Sequence, residues 1–183
     1  MIDRARPEEA RVSIVDGAVF DVVLYQPEIP PNTGNVIRLC ANVGATLHLI
    51  EPLGFTLEDK RLRRAGLDYH EYVPIQVHKS LSGYLEARAP LRLFACSTRG
   101  ERIYTDAHYR LGDAFLFGPE TSGLPAAVLQ GLPRTRRIRL PMRPRNRSLN
   151  LSNAVAVVLF EAWRQVGFIG ARCDDSTSAR RGA

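Results

Sequence analysis

Short apolar runs alternate with polar, helix-like stretches along the whole chain. The clearest runs are VFDVVLY, TLHLI and AFLF, which have the length and composition of buried strands. Strands are predicted over Val19–Tyr25, Thr46–Ile50, Val73–Val77, Leu91–Cys96, Ala114–Phe117 and Arg137–Leu140. Because strands that alternate with helices are typical of βαβ units, we predict an α/β fold with a mostly parallel sheet flanked by helices.

The stretches between these strands predict helices of uneven length. A stiff turn at Pro27–Asn35 precedes a helix that reaches about Asn42 and stops at Gly44. The longest helix is predicted over Leu151–Val166. The shorter predicted helices are Leu57–Ala65, Leu81–Arg88 and Ala126–Gln130, the last of which begins near Leu124.

The length and composition fit one domain. The chain has 183 residues, of which 45% are hydrophobic and 24% charged, close to an average globular protein. We expect a folded domain over residues 18–169, a flexible extension at 1–17 and a disordered tail at 170–183. The longest apolar run, Ala154–Phe160, is too short to cross a membrane, and no apolar secretory segment is present near residue 1. We therefore expect a cytoplasmic protein with no membrane partner.

The charge balance favours a polyanionic partner. The sequence holds 25 basic and 19 acidic residues, a formal net charge of +6, and Lys60 and Lys79 are its only lysines. Seven arginines and no acidic residue fall within residues 134–147. A run of charge is usually a solvated face, but this density of arginine favours phosphate binding.

The cysteines and histidines form no recognisable metal motif. Cys40, Cys96 and Cys173 lie far apart, which argues against a disulfide framework and a CxxC site. The four histidines show neither HxxxH nor HExxH spacing. We therefore expect reduced thiols, histidines in structural or surface roles, and no metal.

A glycine-containing loop, Gly118–Gly123, follows the AFLF strand. A loop between a strand and a helix is a common ligand site in open α/β sheets. Leu124 and Pro125 stand where a P-loop carries Lys and Ser or Thr, so we reject that motif. The simpler alternative is a tight turn with Ser122 as the N-cap of the next helix, and the spacing alone does not decide between them.

Two further segments combine a helix start with polar side chains. In residues 30–38, Asn32 or Thr33 is a candidate N-cap, and Arg38 either covers apolar surface or clamps a phosphate or ribose. Residues 148–154 open the longest predicted helix with several capping residues. A helix N-terminus also attracts anions, so a binding role stays open there.

Three segments, in this order, resemble the SpoU branch of the SPOUT superfamily of RNA methyltransferases. They are PNTGNVIRLCANVGA (31–45), LFGPETSGLP (116–125) and IRLPMRPRNRSLNLSNAVAVVLFEAW (138–163). The segment KRLRRAGLDYHEY (60–72) is similar to that of the short tRNA (cytidine/uridine-34 2′-O)-methyltransferases, which methylate the wobble ribose of leucine tRNAs. The resemblance runs from about Asp21 to Gly167.

The resemblance implies an α/β fold whose C-terminal segment forms a deep trefoil knot, a homodimer, a tRNA substrate, and S-adenosyl-L-methionine (AdoMet) held bent in the knot. The implied cofactor contacts, largely through backbone atoms, are Cys96, Gly118, Leu140, Ser148 and Leu149. The implied catalytic residues are Asn32, Arg38, Glu120, Ser148 and Asn150. The RNA contacts expected from the arginine run are Arg143, Arg145 and Arg147.

The chemistry of methyl transfer assigns expected roles to these residues. Because arginine stays protonated in proteins, we expect Arg38 to hold the target phosphate and stabilise the developing alkoxide rather than act as a base. Asn32, Ser148 and Asn150 are expected to orient the ribose or the cofactor, and Glu120 to shape its loop or face positive charge. The alternatives are methylation of another RNA position or RNA class, and an RNA-binding module without catalysis.

Overall fold

A computed structural model describes residues 18–57, 74–90, 92–146 and 148–172. The expected extension at 1–17, the predicted helix beyond Leu57 and the tail from residue 173 lie outside the described residues. Within them, seven strands form one sheet. They are β1 (Asp21–Tyr25), β2 (Thr46–Ile50), β3 (Ile75–His78), β4 (Leu93–Cys96), β5 (Arg102–Ile103), β6 (Ala114–Phe117) and β7 (Arg137–Arg139).

Helices cover both faces of this sheet. The α-helices of the described ranges are α1 (Pro30–Val43), α2 (Leu81–Arg88), α3 (Ala126–Gln130) and α4 (Leu151–Gln165). Short 3₁₀ turns lie at Tyr104–Asp106 and Arg134–Arg136. Across the described ranges, no helix combines the length and the apolar character that crossing a bilayer requires.

The strand order is β3-β2-β1-β6-β4-β7-β5. Every strand pair among the described residues is parallel, so the predicted α/β architecture is confirmed and its sheet is parallel throughout the described part. One step of the order is unusual for a parallel sheet. The strand β7 lies between β4 and β5, although β4 and β5 follow one another along the chain.

The strands read as apolar runs because both faces of the sheet are buried. On one face, side chains such as Leu24, Leu49 and Phe117 pack against α1 and α4. On the other face, Val23 and Leu116 pack with residues of α2 and α3. The central strands β1, β2 and β6 therefore carry nearly all of their side chains inside the core.

Two capping predictions were wrong. The helix α1 begins at Pro30, inside the predicted turn, because proline is favoured in the first helical turn, where its missing amide proton costs nothing. Its N-cap is therefore Ile29, which makes no side-chain cap, and Asn32 and Thr33 lie inside the helix. Likewise, α3 begins after Pro125, so Ser122 is not its N-cap.

A buried polar cluster ties the amino end of β1 to α2. The Asp21 carboxylate accepts a hydrogen bond from the Tyr84 hydroxyl (3.2 Å) and two from the Arg88 guanidinium (3.2 and 3.0 Å). The Nε2 atom of His48 lies 3.4 Å from the same carboxylate, and His48 is fully buried, in line with a structural histidine. Burial opposes the charge of Asp21, but His48 and Arg88 outweigh it and hold the pKa of this carboxyl below its ordinary value.

Candidate functional site

A cavity of about 480 Å³ lies beyond the carboxyl ends of β4, β6 and β7. Its walls are the turn after β4, the loop 118–124 after β6, Leu140 after β7, and the segment 148–151 at the start of α4. In open parallel sheets, ligands bind at the carboxyl ends of the strands, because the loops there converge around a crevice. The position of the cavity therefore marks it as the candidate site.

The cavity brings together most of the predicted site residues. All of the predicted cofactor contacts line it, namely Cys96, Gly118, Leu140, Ser148 and Leu149. The predicted catalytic residues Asn32, Glu120 and Asn150 also line it. Four further residues of the wall, Ile29, Ser97, Thr98 and Met142, were not predicted from the sequence. Ser97 and Thr98 follow β4 and Ile29 directly precedes α1, and this position is the signal that could have found these three residues.

A chain of three side chains crosses this cavity wall. The Nδ2 atom of Asn32 donates to Oε1 of Glu120 (3.0 Å), and Nδ2 of Asn150 donates to Oδ1 of Asn32 (2.8 Å). Glu120 follows β6, Asn32 lies in the first turn of α1, and Asn150 precedes α4. These two hydrogen bonds therefore join three separate elements at one point of the site.

Asn150 has a second role as the N-cap of α4. Its Oδ1 atom accepts hydrogen bonds from the amide of Ser152 (2.9 Å) and the amide of Asn153 (3.4 Å). Both ends of the Asn150 amide are therefore occupied, one by the helix and the other by Asn32. Because the polar atoms of Asn32 are occupied as well, the geometry favours a positioning role for both side chains.

The loop 118–124 turns tightly over the end of β6. The amide of Gly123 donates to the carbonyl of Pro119 (2.9 Å), and Gly123 has a φ of 67°, a left-handed conformation that glycine adopts without strain. A Cβ atom added to Gly118 would lie 2.3 Å from the backbone nitrogen of Leu124. Glycine at 118 therefore allows the loop to fold back on itself and to present its backbone to the cavity.

The cavity contains no activated thiol among its described residues. Burial raises the pKa of Cys96 to about 12, so this thiol is neutral and serves as apolar wall. In the described part of the chain, no three His, Cys, Asp or Glu side chains come close enough together to hold a metal ion. The polar atoms of the cavity are instead backbone groups, hydroxyls, amides and the carboxylate of Glu120.

Of the predicted phosphate- and RNA-contacting arginines, the three that the structure describes lie outside the cavity wall. Arg38 is exposed on α1, and Arg143 and Arg145 are exposed between β7 and α4. The side chain of Arg147 is outside the described residues. Arg137, from the same run, has a structural role, since its guanidinium donates to the carbonyl of Leu132 and forms an ion pair with Glu101.

Comparison with known proteins places this geometry in context. The chain is similar to the tRNA (cytidine(34)-2′-O)-methyltransferase of Burkholderia ambifaria, with 62% identity over 154 residues, 83% of this chain and 99% of that protein. A solved structure that addresses the 2-OH methylation of C/U34 on tRNA has a TM-score of 0.77 and 48% identity, covering 81% of this chain and 97% of that one. The SpoU methyltransferase AviRb from Streptomyces viridochromogenes, in complex with AdoMet, has a TM-score of 0.73 and 25% identity, covering 91% of this chain and 64% of that one.

The family model described as the SpoU rRNA Methylase family matches residues 20–160. This range includes every strand of the described sheet, the loop 118–124 and the first two-thirds of α4. It also contains all the predicted cofactor and catalytic residues. The resemblance found in the sequence is thereby confirmed, and the chain belongs to the SpoU rRNA methylase family.

Proposed function

We propose that this protein is an AdoMet-dependent methyltransferase that places a methyl group on the ribose 2′-hydroxyl of nucleotide 34, the wobble position, of tRNA. The observation that carries the proposal is the cavity, which joins the five predicted cofactor residues to Asn32, Glu120 and Asn150. The Burkholderia relative named for this activity matches 83% of this chain and 99% of its own length. The proposed place of action of the present protein is the cytoplasm, where its tRNA substrate is found.

The wall of the cavity suits AdoMet. Leu140 and Leu149 offer apolar surface to an adenine ring, while Ser97, Thr98 and the loop 118–124 offer hydroxyl and backbone hydrogen-bonding groups to its polar parts. Because the backbone packs closely at Gly118, the fold itself, rather than flexible side chains, fixes the direction of the backbone groups in this loop. When bound, AdoMet supplies a methyl group on a positively charged sulfur, ready for transfer to an oxygen nucleophile.

The residues of the chain would act mainly by positioning and by charge. A ribose hydroxyl is a weak nucleophile, so its orientation and the stabilisation of its developing negative charge both lower the barrier. The Glu120–Asn32–Asn150 chain fixes the starts of α1 and α4 around the cavity. Arg38 is permanently charged and exposed on α1, where it can hold the target phosphate and stabilise the alkoxide. Ser148, exposed at the cavity, is the side chain we expect to contact the ribose or the cofactor.

A homodimer built on α1 and α4 is part of the proposal. These two helices pack against each other on one face of the sheet. Near the outer side of α4, Val157, Phe160 and Phe168 are exposed by about 40% (39%, 41% and 42%). Exposed apolar side chains grouped in this way mark protein interfaces. Sedimentation velocity tests this part, and a monomer at micromolar concentration would contradict it.

The strand order supports the proposed C-terminal trefoil knot. The strand β7 lies between the consecutive strands β4 and β5, which is where a chain passing under the 97–101 connection would place it. The amide of Ser97 donates to the carbonyl of Ile138 (3.0 Å), and a Cβ atom added to Gly100 would lie 2.3 Å from the same carbonyl. The connection is thus wrapped closely over β7.

Leucine tRNAs are the proposed substrates, with Arg143, Arg145 and Arg147 as RNA contacts. The test is to incubate total tRNA with the purified protein and AdoMet, and to map new 2′-O-methyl groups by mass spectrometry. Methylation of nucleotide 34 in leucine tRNAs is the expected result. A methyl group at another position would refute the substrate assignment while keeping the reaction, and a protein that binds neither AdoMet nor tRNA would refute both.

A further inference from the structure

The loops that follow β1 and β6 are joined by hydrogen bonds in both directions, and each loop contributes one glutamate carboxylate as the acceptor. In one direction, the Glu120 carboxylate accepts hydrogen bonds from the backbone amides of Glu28 (2.8 Å) and Ile29 (3.2 Å). In the other direction, the Glu28 carboxylate accepts from the backbone amide (3.0 Å) and the hydroxyl (2.8 Å) of Thr121. Because β1 and β6 are parallel neighbours, both loops leave the sheet at the same edge. Each loop is therefore held by the carboxylate of the other.

The backbone around Glu28 is fixed independently of this exchange. Gln26 has a φ of 50°, in the left-handed region that non-glycine residues seldom adopt, and its amide donates to the carbonyl of Ile50 (3.0 Å). The amide of Gly54 donates to the carbonyl of Pro27 (2.9 Å), and a Cβ atom added to Gly54 would lie 2.8 Å from the Cα of Glu28. An unfavourable backbone conformation held by several contacts is often found beside a functional site.

The two glutamates differ in their relation to the cavity. Every residue from 118 to 124, including Glu120 and Thr121, lines it, whereas Glu28 is not among the described residues of its wall. Glu28 therefore has no direct access to a ligand in the cavity. The Glu28 carboxylate contacts the cavity wall indirectly, because it accepts hydrogen bonds from the amide and hydroxyl of Thr121.

We propose that Glu28 is a positioning residue, which holds the loop 118–124 against the loop after β1 and so sets the cavity wall that receives AdoMet. The inference rests on the proposed function, since it assigns AdoMet to this cavity. It predicts that loss of the Glu28 carboxylate loosens the loop and weakens cofactor binding, while the core of the protein keeps its stability.

The first test measures the loop without any ligand. The Glu28→Gln side chain keeps the size of glutamate but loses its charge and one acceptor oxygen, so the charge-assisted hydrogen bonds to the amide and hydroxyl of Thr121 are weakened. We expect amide hydrogen exchange at Thr121 to accelerate about fivefold to tenfold. Glu86→Gln, an exposed glutamate on α2, is the matched control and should leave this exchange unchanged. Wild-type exchange at Thr121 in Glu28→Gln would overturn the inference.

The second test is calorimetric titration of the full chain with AdoMet in the absence of tRNA. We expect the Kd of Glu28→Gln to rise about fivefold to tenfold, and Thr121→Val, which loses one of the two bonds, to change in the same direction by less. Midpoints of urea unfolding close to that of Glu86→Gln would separate positioning from general destabilisation. An unchanged Kd in Glu28→Gln would overturn the inference. A wild-type protein without AdoMet affinity would refute the proposed function, and the exchange measurement would then decide whether Glu28 holds the loop.

Discussion

The Asn150 side chain stabilises the protein in two ways, and substitutions at this position separate the two contributions to the free energy of unfolding. In Asn150→Ala, the amides of Ser152 and Asn153 lose their cap, which costs about 1 kcal/mol. The same change leaves Oδ1 of Asn32 without its 2.8 Å donor, and Asn32 is buried, with 6% of its surface exposed. An unpaired buried acceptor costs about 1–3 kcal/mol. We therefore expect Asn150→Ala to lower the free energy of unfolding by about 2–4 kcal/mol.

A second substitution at the same position shows how much of this loss of stability comes from each of the two contributions. Asn150→Ser keeps a capping oxygen but loses the donor to Asn32, so it should lose the bridge alone, about 1–3 kcal/mol. Asn153→Ala, at an exposed asparagine one position into the same helix turn, is the matched control and should change stability by less than about 0.5 kcal/mol. Urea unfolding at one fixed protein concentration measures all three variants.

The losses of stability at Asn32 and Asn150 should also combine in a characteristic way. If Asn32 and Asn150 act through one hydrogen bond, the double variant with Ala at both positions should be more stable than the sum of the single losses predicts, since the bond is lost only once. Strictly additive losses would refute the bridge. A neutral surface substitution changes the free energy of unfolding by up to about 0.5 kcal/mol. An Asn150→Ala variant whose free energy of unfolding lies within about 0.5 kcal/mol of the wild type would therefore refute both contributions.

Three further predictions follow from the described geometry. Arg38→Ala should lose most methyl-transfer activity but keep its AdoMet Kd, because the residue lies outside the cavity wall, and a weakened Kd with normal folding would contradict its assigned role. Gly118→Ala places a Cβ 2.3 Å from the nitrogen of Leu124, so calorimetry should show AdoMet affinity lower by about tenfold or more, and wild-type affinity would mean that the loop moves freely. Asp21→Asn should lower the free energy of unfolding at pH 7 by about 3 kcal/mol. Because the pKa of Asp21 is lowered in the folded state, its stabilisation is complete at neutral pH and is lost as the pH falls below about 4, so acid titrations should show a flatter decline in the variant.

The sheet could be predicted because its burial leaves a simple pattern. The predicted bounds of Thr46–Ile50 and Ala114–Phe117 match β2 and β6 as the structure has them, since both faces of these strands are in the core. The strand β5 was missed, because a pair such as Arg102–Ile103 is too short to show any period. The start of α1 was misplaced because consecutive prolines favour a turn and a first helical turn alike.

The candidate site was predictable where a motif carried it and not elsewhere. The five cofactor residues came from the resemblance, and the cavity brings them together. No periodicity could have shown that Asn32 and Asn150, far apart along the chain, share a hydrogen bond. Glu28 was missed for a similar reason. An acidic residue in a polar loop has no distinguishing pattern until its partner, Thr121, is brought to it by the pairing of β1 with β6.

The place of β7 between β4 and β5 has a consequence for the order in which the protein is made. On a ribosome, β4 and β5 emerge well before β7. If β4 and β5 paired directly with each other, no place would remain for β7 between them. In the described sheet β5 pairs only with β7, so it can take its place once residues 137–139 are available, and Leu140 and the start of α4 follow later still. Since these late segments supply one side of the cavity, a chain that stalls before residue 137 would contain β1 to β6 but lack Leu140, Ser148 and Leu149 of the cavity wall. Under the proposed function, cofactor binding would therefore require synthesis as far as the start of α4.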